Sequence, residues 1–140
     1  MKPFSDMKAE QVIPVLRIFD YQKTIEFYID WLGFEIAWEH HFDENTPVYM
    51  EVKKDNIVLH LSEHHGDASP GSSVFIWGEG IAEYHKELID KNYKYNRPGL
   101  EKAFYDAISF TVNDPFGNKI IFNEKFDAQK HGALKLHSDE

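Results

Sequence analysis

The chain has 140 residues, enough for one domain or two small fused modules, and a chain of this size buries roughly 70% of its unfolded surface. With 24 acidic against 15 basic residues the net charge is −9, which argues against a nucleic-acid or anionic-membrane partner and suits a neutral or cationic guest. There is no cysteine, so disulfides, thiol nucleophiles and zinc–thiolate sites are excluded; no apolar run approaches the ~18 residues of a membrane span, and a soluble cytoplasmic protein is the expectation.

In chain order, "QVIPVLRIFD" reads as a strand rich in branched residues. "YQKTIEFYIDWLGF" follows with Ile25, Tyr28, Ile29 and Leu32 at helical spacing and Gly33 as the stop. "FEIAWEHHF", "PVYMEV" and "NIVLHLSE" are three strand-like runs, the last two joined by the turn "KKDN" as a hairpin. "HHGDASPGS" is a linker by composition. The rhythm then restarts: "SVFIWGEG" is a strand, "IAEYHKELIDKN" a helix, "YKYNRPG" a weak strand or loop, and "AISFTV" with "KIIFNE" a second hairpin. "VLRIFDYQKTIEFYIDWLGFEI" lies over "VFIWGEGIAEYHKELIDKNYKY" without a gap, and "EVKKDNIVLHLSE" over "TVNDPFGNKIIFNE" with one extra residue in the turn.

The expected fold is therefore α+β: a single domain over 1–140, with two βαβββ half-modules at about 10–65 and 71–126 and a polar tail over 127–140. The tail is loose or forms a short packing helix. Each half presents an antiparallel sheet with one helix on its outer face, and the uncovered inner faces form a cup that needs ligand, metal or a partner subunit. An open cup exposes too much apolar surface for a monomer, so a homodimer is expected.

"VLRIFD" leading into "TIEFYIDWLGFEI", "SPGSSVFIW" after a linker, and the turn "DPFGNKIIF" together resemble the glyoxalase, bleomycin-resistance and extradiol-dioxygenase superfamily, the vicinal-oxygen-chelate fold, over about residues 10–126. The resemblance implies four metal-ligand positions, which fall on Ile13, His60, Ser72 or Ser73, and Ile121. Isoleucine has no lone pair and a serine hydroxyl is a poor ligand, so neither a metal nor another cofactor is expected. His40–His41 and His64–His65, with Glu39 or Glu63, offer an unconventional set, but adjacent strand residues point to opposite faces and each pair supplies at most one ligand.

Within the family, "VFIWGEGIAEYHKEL" resembles the metal-free bleomycin-resistance branch, which implies stoichiometric sequestration of a planar cationic antibiotic in a groove at a dimer interface. Phe75 and Trp77 alternate and share a sheet face; "LEKAFYDAISF" corresponds to a loop in which that branch carries a stacking tryptophan, so Phe104 or Tyr105 would serve here. "AWEHHFDENTPVY" offers Trp38, Phe42 and Tyr49 beside Asp43 and Glu44, aromatic faces next to acid. With His60 and Ser62, these residues are the candidate ligand contacts. Pro14 removes a ladder donor from the first strand, which places that strand at an edge; the resemblance implies a dimer hinge where the strand crosses to the partner. Two other readings stay open: a metal-dependent lyase or dioxygenase with an unconventional site or with His60 as general base, and a binding protein for another hydrophobic small molecule.

Overall fold

The structure, a computed structural model, describes residues 6–41, 43 and 47–138. The first half contains β1 (Val15–Arg17), helix α1, β2 (Glu35–His41), β3 (Val48–Lys54) and β4 (Ile57–Ser62). Helix α1 opens as an α-helix over Tyr21–Thr24 and continues with π-helical winding over Ile25–Trp31. Asp20 starts it by accepting the Lys23 N–H at 2.9 Å. An i→i+5 bond from the Leu32 N–H to the Phe27 carbonyl (2.9 Å) belongs to that wider winding, and Phe27, Tyr28, Trp31 and Leu32 are all buried. The second half contains β5 (Ser73–Trp77), α2 (Ile81–Asp90), β6 (Glu101–Ala103), β7 (Ala107–Asn113) and β8 (Lys119–Lys125).

Both halves are thus βαβββ, as the repeat in the sequence predicts. The first sheet has strand order β1-β4-β3-β2 and the second β5-β8-β7-β6, extended by the short β9 (His137–Ser138) on β6. In each sheet the first strand runs parallel to the last, and the remaining pairs of the repeat are antiparallel. Register is set by the β3–β4 hairpin: a two-residue turn at Asp55–Asn56, with Asp55 at φ 53°, pairs Lys54 with Ile57 and so brings Glu51 opposite His60.

Alternation then divides every strand between two faces. Val48, Met50, Val52, Leu59 and Leu61 from the first sheet join Phe110, Val112, Ile120 and Phe122 from the second in one buried cluster with both helices. Side chains tie the halves together there. The Trp31 indole N–H donates to the Leu88 carbonyl (3.0 Å), the Tyr84 hydroxyl to the Leu32 carbonyl (2.6 Å), and Lys91 Nζ to the Trp31 carbonyl (2.6 Å). Since one core receives both sheets, each sheet turns its other face outward.

The turn "DPFGN" does more than reverse the chain. Asp114 Oδ1 accepts the N–H groups of Phe116 (2.9 Å) and Asn118 (2.8 Å), while Oδ2 accepts the buried Tyr28 hydroxyl of α1 (2.7 Å). Burial, with the Asp114 charge added, pushes the Tyr28 hydroxyl well above its ordinary value, so it stays a donor. Asn118 Nδ2 reaches across to the Arg17 carbonyl of β1 (2.8 Å), and Gly117 takes the positive φ of 90° that the turn needs.

Two segments differ from the simplest reading. Residues 93–100 form turns and coil, and the strand of this region is the three-residue β6. The tail is ordered as a short helix, α3 (Ala128–His131), followed by β9. Asp127 caps α3 by accepting the Gln129 N–H (3.0 Å), and Lys130 Nζ donates to Glu124 of β8 at 2.6 Å.

Candidate functional site

The outward face of the first sheet carries a hydrogen-bonded chain of three side chains from two strands. The Tyr49 hydroxyl lies 2.7 Å from His60 Nδ1, and His60 Nε2 lies 2.9 Å from Glu51 Oε1. The His60 and Glu51 side chains remain 17% and 18% exposed, close enough to solvent to meet a guest. Trp38 of the edge strand β2 lies parallel to Tyr49 (centroids 5.9 Å, 8° between planes) and edge-on to His60 (5.3 Å). Trp38 is 43% exposed. Burial, with the charge of Asp67 added, pushes the Tyr49 hydroxyl above its ordinary value and keeps it protonated at neutral pH.

The outward face of the second sheet is built from rings. Phe75 and Trp77, two apart on β5, meet edge to face at 5.6 Å and are 49% and 51% exposed. Tyr105, from the β6–β7 turn, closes the cluster at 5.6 Å from Phe75 and 6.0 Å from Trp77. Its hydroxyl donates to Asn123 Oδ1 (2.5 Å), and Asn123 Nδ2 donates to the Ile76 carbonyl (3.1 Å). Asn123 is wholly buried and acts as the bracket that holds the tyrosine ring upright.

Of the residues expected from the sequence, Trp38, Tyr49 and His60 come together on the first face, and Phe75, Trp77 and Tyr105 on the second. The two sets do not meet within one chain, because the shared core lies between the sheets. Phe104 is 87% exposed and touches the cluster only through an edge contact with Tyr105 (5.1 Å). Ser62 needs correction as a surface contact: it is wholly buried, its hydroxyl donates to Asp67 (2.7 Å) and accepts the His64 N–H (3.0 Å), so it organises the loop behind the face. Phe42 and Glu44 lie outside the described residues. Pro14 sits just before β1, with its carbonyl accepting the His60 N–H at 3.0 Å.

Sequence reasoning missed Glu51 and Asn123. The signal for Glu51 was the two-residue turn, since counting back from Asp55–Asn56 pairs 51 with 60. Asn123 had a similar signal, a polar residue two places from Ile121 on the same face of β8.

Beyond the clusters, a groove of about 780 Å³ runs from Trp77 and Glu79 to Asp127 and Lys130 of the tail. Glu124 stands at its edge. Burial pushes its carboxyl up, but Lys130, the Ile81 N–H and His131 together outweigh burial and hold it below the usual carboxylate range. A separate cavity of about 390 Å³ is lined by Lys23, Glu26, Tyr93, Tyr95, Asn96 and Asp114 and by none of the residues of the two outward faces.

The four metal positions of the fold do not fit a metal here. Ile13 and Ile121 have no donor atom; of the two serines at the third position, Ser72 spends its hydroxyl on the Ser69 carbonyl (3.1 Å) and Ser73 offers only another hydroxyl, a poor ligand; and both ring nitrogens of His60 are engaged. Among the described residues, no group of three or more His, Cys, Asp or Glu side chains is placed to hold an ion. No helix among them is long and apolar enough to cross a membrane.

This architecture of paired βαβββ modules is that of a known class. A family model described as "Glyoxalase superfamily protein" matches residues 1–129. The chain is 30% identical over 130 residues to the bleomycin resistance protein of Geobacillus stearothermophilus, covering 80% of this chain and 94% of that one. Among solved structures, a glyoxalase family protein from Bacillus anthracis superposes with a TM-score of 0.66 at 20% identity, covering 87% of this chain and 99% of the other. A bleomycin-binding protein complexed with bleomycin superposes with a TM-score of 0.64 at 18% identity, covering 84% and 99%. The chain belongs to the glyoxalase/bleomycin-resistance superfamily.

Proposed function

We propose that this protein binds a planar, cationic small molecule of the bleomycin type, stoichiometrically and without chemistry. The binding groove forms when two copies oppose the Trp38–Tyr49–His60 face of one to the Phe75–Trp77–Tyr105 face of the other. The observation that carries this reading is the pair of half-exposed aromatic faces turned outward from one core. Each supplies flat, electron-rich walls, and each is open on the side where a second copy would close it. The net charge of −9 draws a cationic guest toward both. Likeness to a bleomycin resistance protein over most of both chains supports the choice of ligand class. Pro14, ahead of the edge strand β1, is the hinge at which the N-terminal segment would pass to the partner.

The test is a titration of metal-free bleomycin followed by tryptophan fluorescence, with the assembly state measured alongside. Trp31 is buried, whereas Trp38 and Trp77 report one face each. Saturable quenching at about one drug per subunit is the expected result, with Trp38→Phe and Trp77→Phe each removing part of the signal. Flat fluorescence at tens of micromolar drug, or a protein that stays monomeric at that concentration, contradicts the proposal.

A further inference from the structure

The chain Tyr49–His60–Glu51 has a consequence for which guests it accepts. An ionised carboxylate has no proton to give, so the His60 nitrogen facing Glu51 at 2.9 Å, Nε2, must be the one that carries hydrogen. In the neutral ring Nδ1 is then a bare acceptor, and at 2.7 Å it takes the proton of the Tyr49 hydroxyl. With that proton committed, Tyr49 Oη keeps only lone pairs for a guest, and Glu51 Oε2 likewise. The exposed π-face of Trp38 above them is electron-rich as well. The other groups at this face that can donate stand on neighbouring positions, and His40 of β2 is opposite Tyr49 in the ladder. Arg17, on the neighbouring β1, gives Nη1 to the Glu63 carbonyl (2.7 Å), and Lys53 lies two residues beyond Glu51, toward the turn.

We infer that Tyr49, locked by His60 and Glu51, sets specificity at this face: it selects flat guests that carry N–H donors, such as amidinium, guanidinium or protonated heteroaromatic amines, over equally flat guests that carry only acceptors. This rests on the reading of the outward face as a ligand surface and adds the chemical test that a guest must pass. A carbonyl or ether oxygen brought against Tyr49 Oη and Glu51 Oε2 meets only lone pairs there and loses its water without replacement.

Two measurements on the full chain decide it. Long-range nitrogen–proton NMR of the His60 ring is expected to show the proton on Nε2 and a hydrogen-bonded lone pair on Nδ1; a proton on Nδ1 in the neutral ring overturns the inference. Benzamidine and acetophenone then serve as probes of similar shape and opposite hydrogen-bonding character, followed through the Trp38 and His60 resonances. Benzamidine is expected to bind about tenfold more tightly, and Tyr49→Phe, which keeps the ring on Trp38, to weaken benzamidine about fivefold while leaving acetophenone within about twofold. Equal affinities, or an equal loss for both probes in Tyr49→Phe, overturn it. Bleomycin is titrated separately. Preference for benzamidine without bleomycin binding leaves this inference standing and sinks the drug assignment; bleomycin binding without the preference does the reverse.

Discussion

The two outward faces descend from the same strand pattern, yet they are held by different physics. On the first, His60 of β4 stands where the second has Ile121 of β8, and Glu51 stands where the second has Thr111. The first face is fixed by charge-assisted hydrogen bonds among side chains that reach solvent. The second is fixed from below, by one buried asparagine that props a tyrosine against two rings. The comparison shows how a duplicated module can keep its ladder and exchange its surface. Backbone pairing and core residues are shared, while the alternate positions are free to differ, since they touch nothing that both halves need.

That contrast can be broken most sharply at Asn123. Asn123→Ala takes the near acceptor from the Tyr105 hydroxyl, leaving it only Ser109 Oγ at 3.4 Å, and removes the amide donor to the Ile76 carbonyl; it is expected to cost about 2–3 kcal/mol in denaturant unfolding. The equivalent position in the first half is Ser62, which bonds an exposed aspartate; Ser62→Ala is expected to cost only about 1 kcal/mol. Equal costs would mean that the two faces are supported alike.

A second, smaller effect concerns the tail, which is tied to β8 and β6 of the second half. Because the fold holds the Glu124 carboxyl below its ordinary value of 4.5, the associated stability is fully present above that value and disappears as pH falls through the lower, folded one. Melting temperature should therefore be flat near neutrality and drop in acid. Lys130→Met is expected to lower the neutral melting temperature and flatten the acid limb; an unchanged acid limb would remove Glu124 as its source.

The smallest effect is at Phe104. Exposed, with its ring edge-on to Tyr105, it is expected to tolerate alanine within about 0.5 kcal/mol, whereas Trp77→Ala should cost a guest about tenfold in affinity. A large stability loss in Phe104→Ala would show that the second face is propped from outside as well.

Much of the fold was legible because the repeat supplied the same rhythm twice, and because Gly33 and the Asp114–Asn118 turn punctuate it in the expected places. The aromatic pairs were legible for the same reason: alternation puts Phe75 with Trp77 without any tertiary knowledge. What stayed hidden depends on partners distant in sequence. The tail looks loose by composition, yet Lys130 finds Glu124 and the segment at 137–138 finds β6. The π-helical winding in α1 leaves no mark, since Phe27, Tyr28, Trp31 and Leu32 suit either winding. Ser62 looked available beside His60, but the loop that folds over it, through Asp67 and His64, carries no local signature of doing so.

The central claim, that a binding groove takes one face from each of two copies, is tested most directly by complementation. Trp38→Ala and Trp77→Ala proteins are prepared separately, each expected to bind bleomycin weakly, then mixed, allowed to exchange subunits and titrated again. Half of the mixed population is heterodimeric and carries one groove with both faces intact, so about a quarter of the wild-type capacity should return. If mixing restores nothing while exchange is verified, the two faces do not meet across a dimer and the account of the groove is wrong.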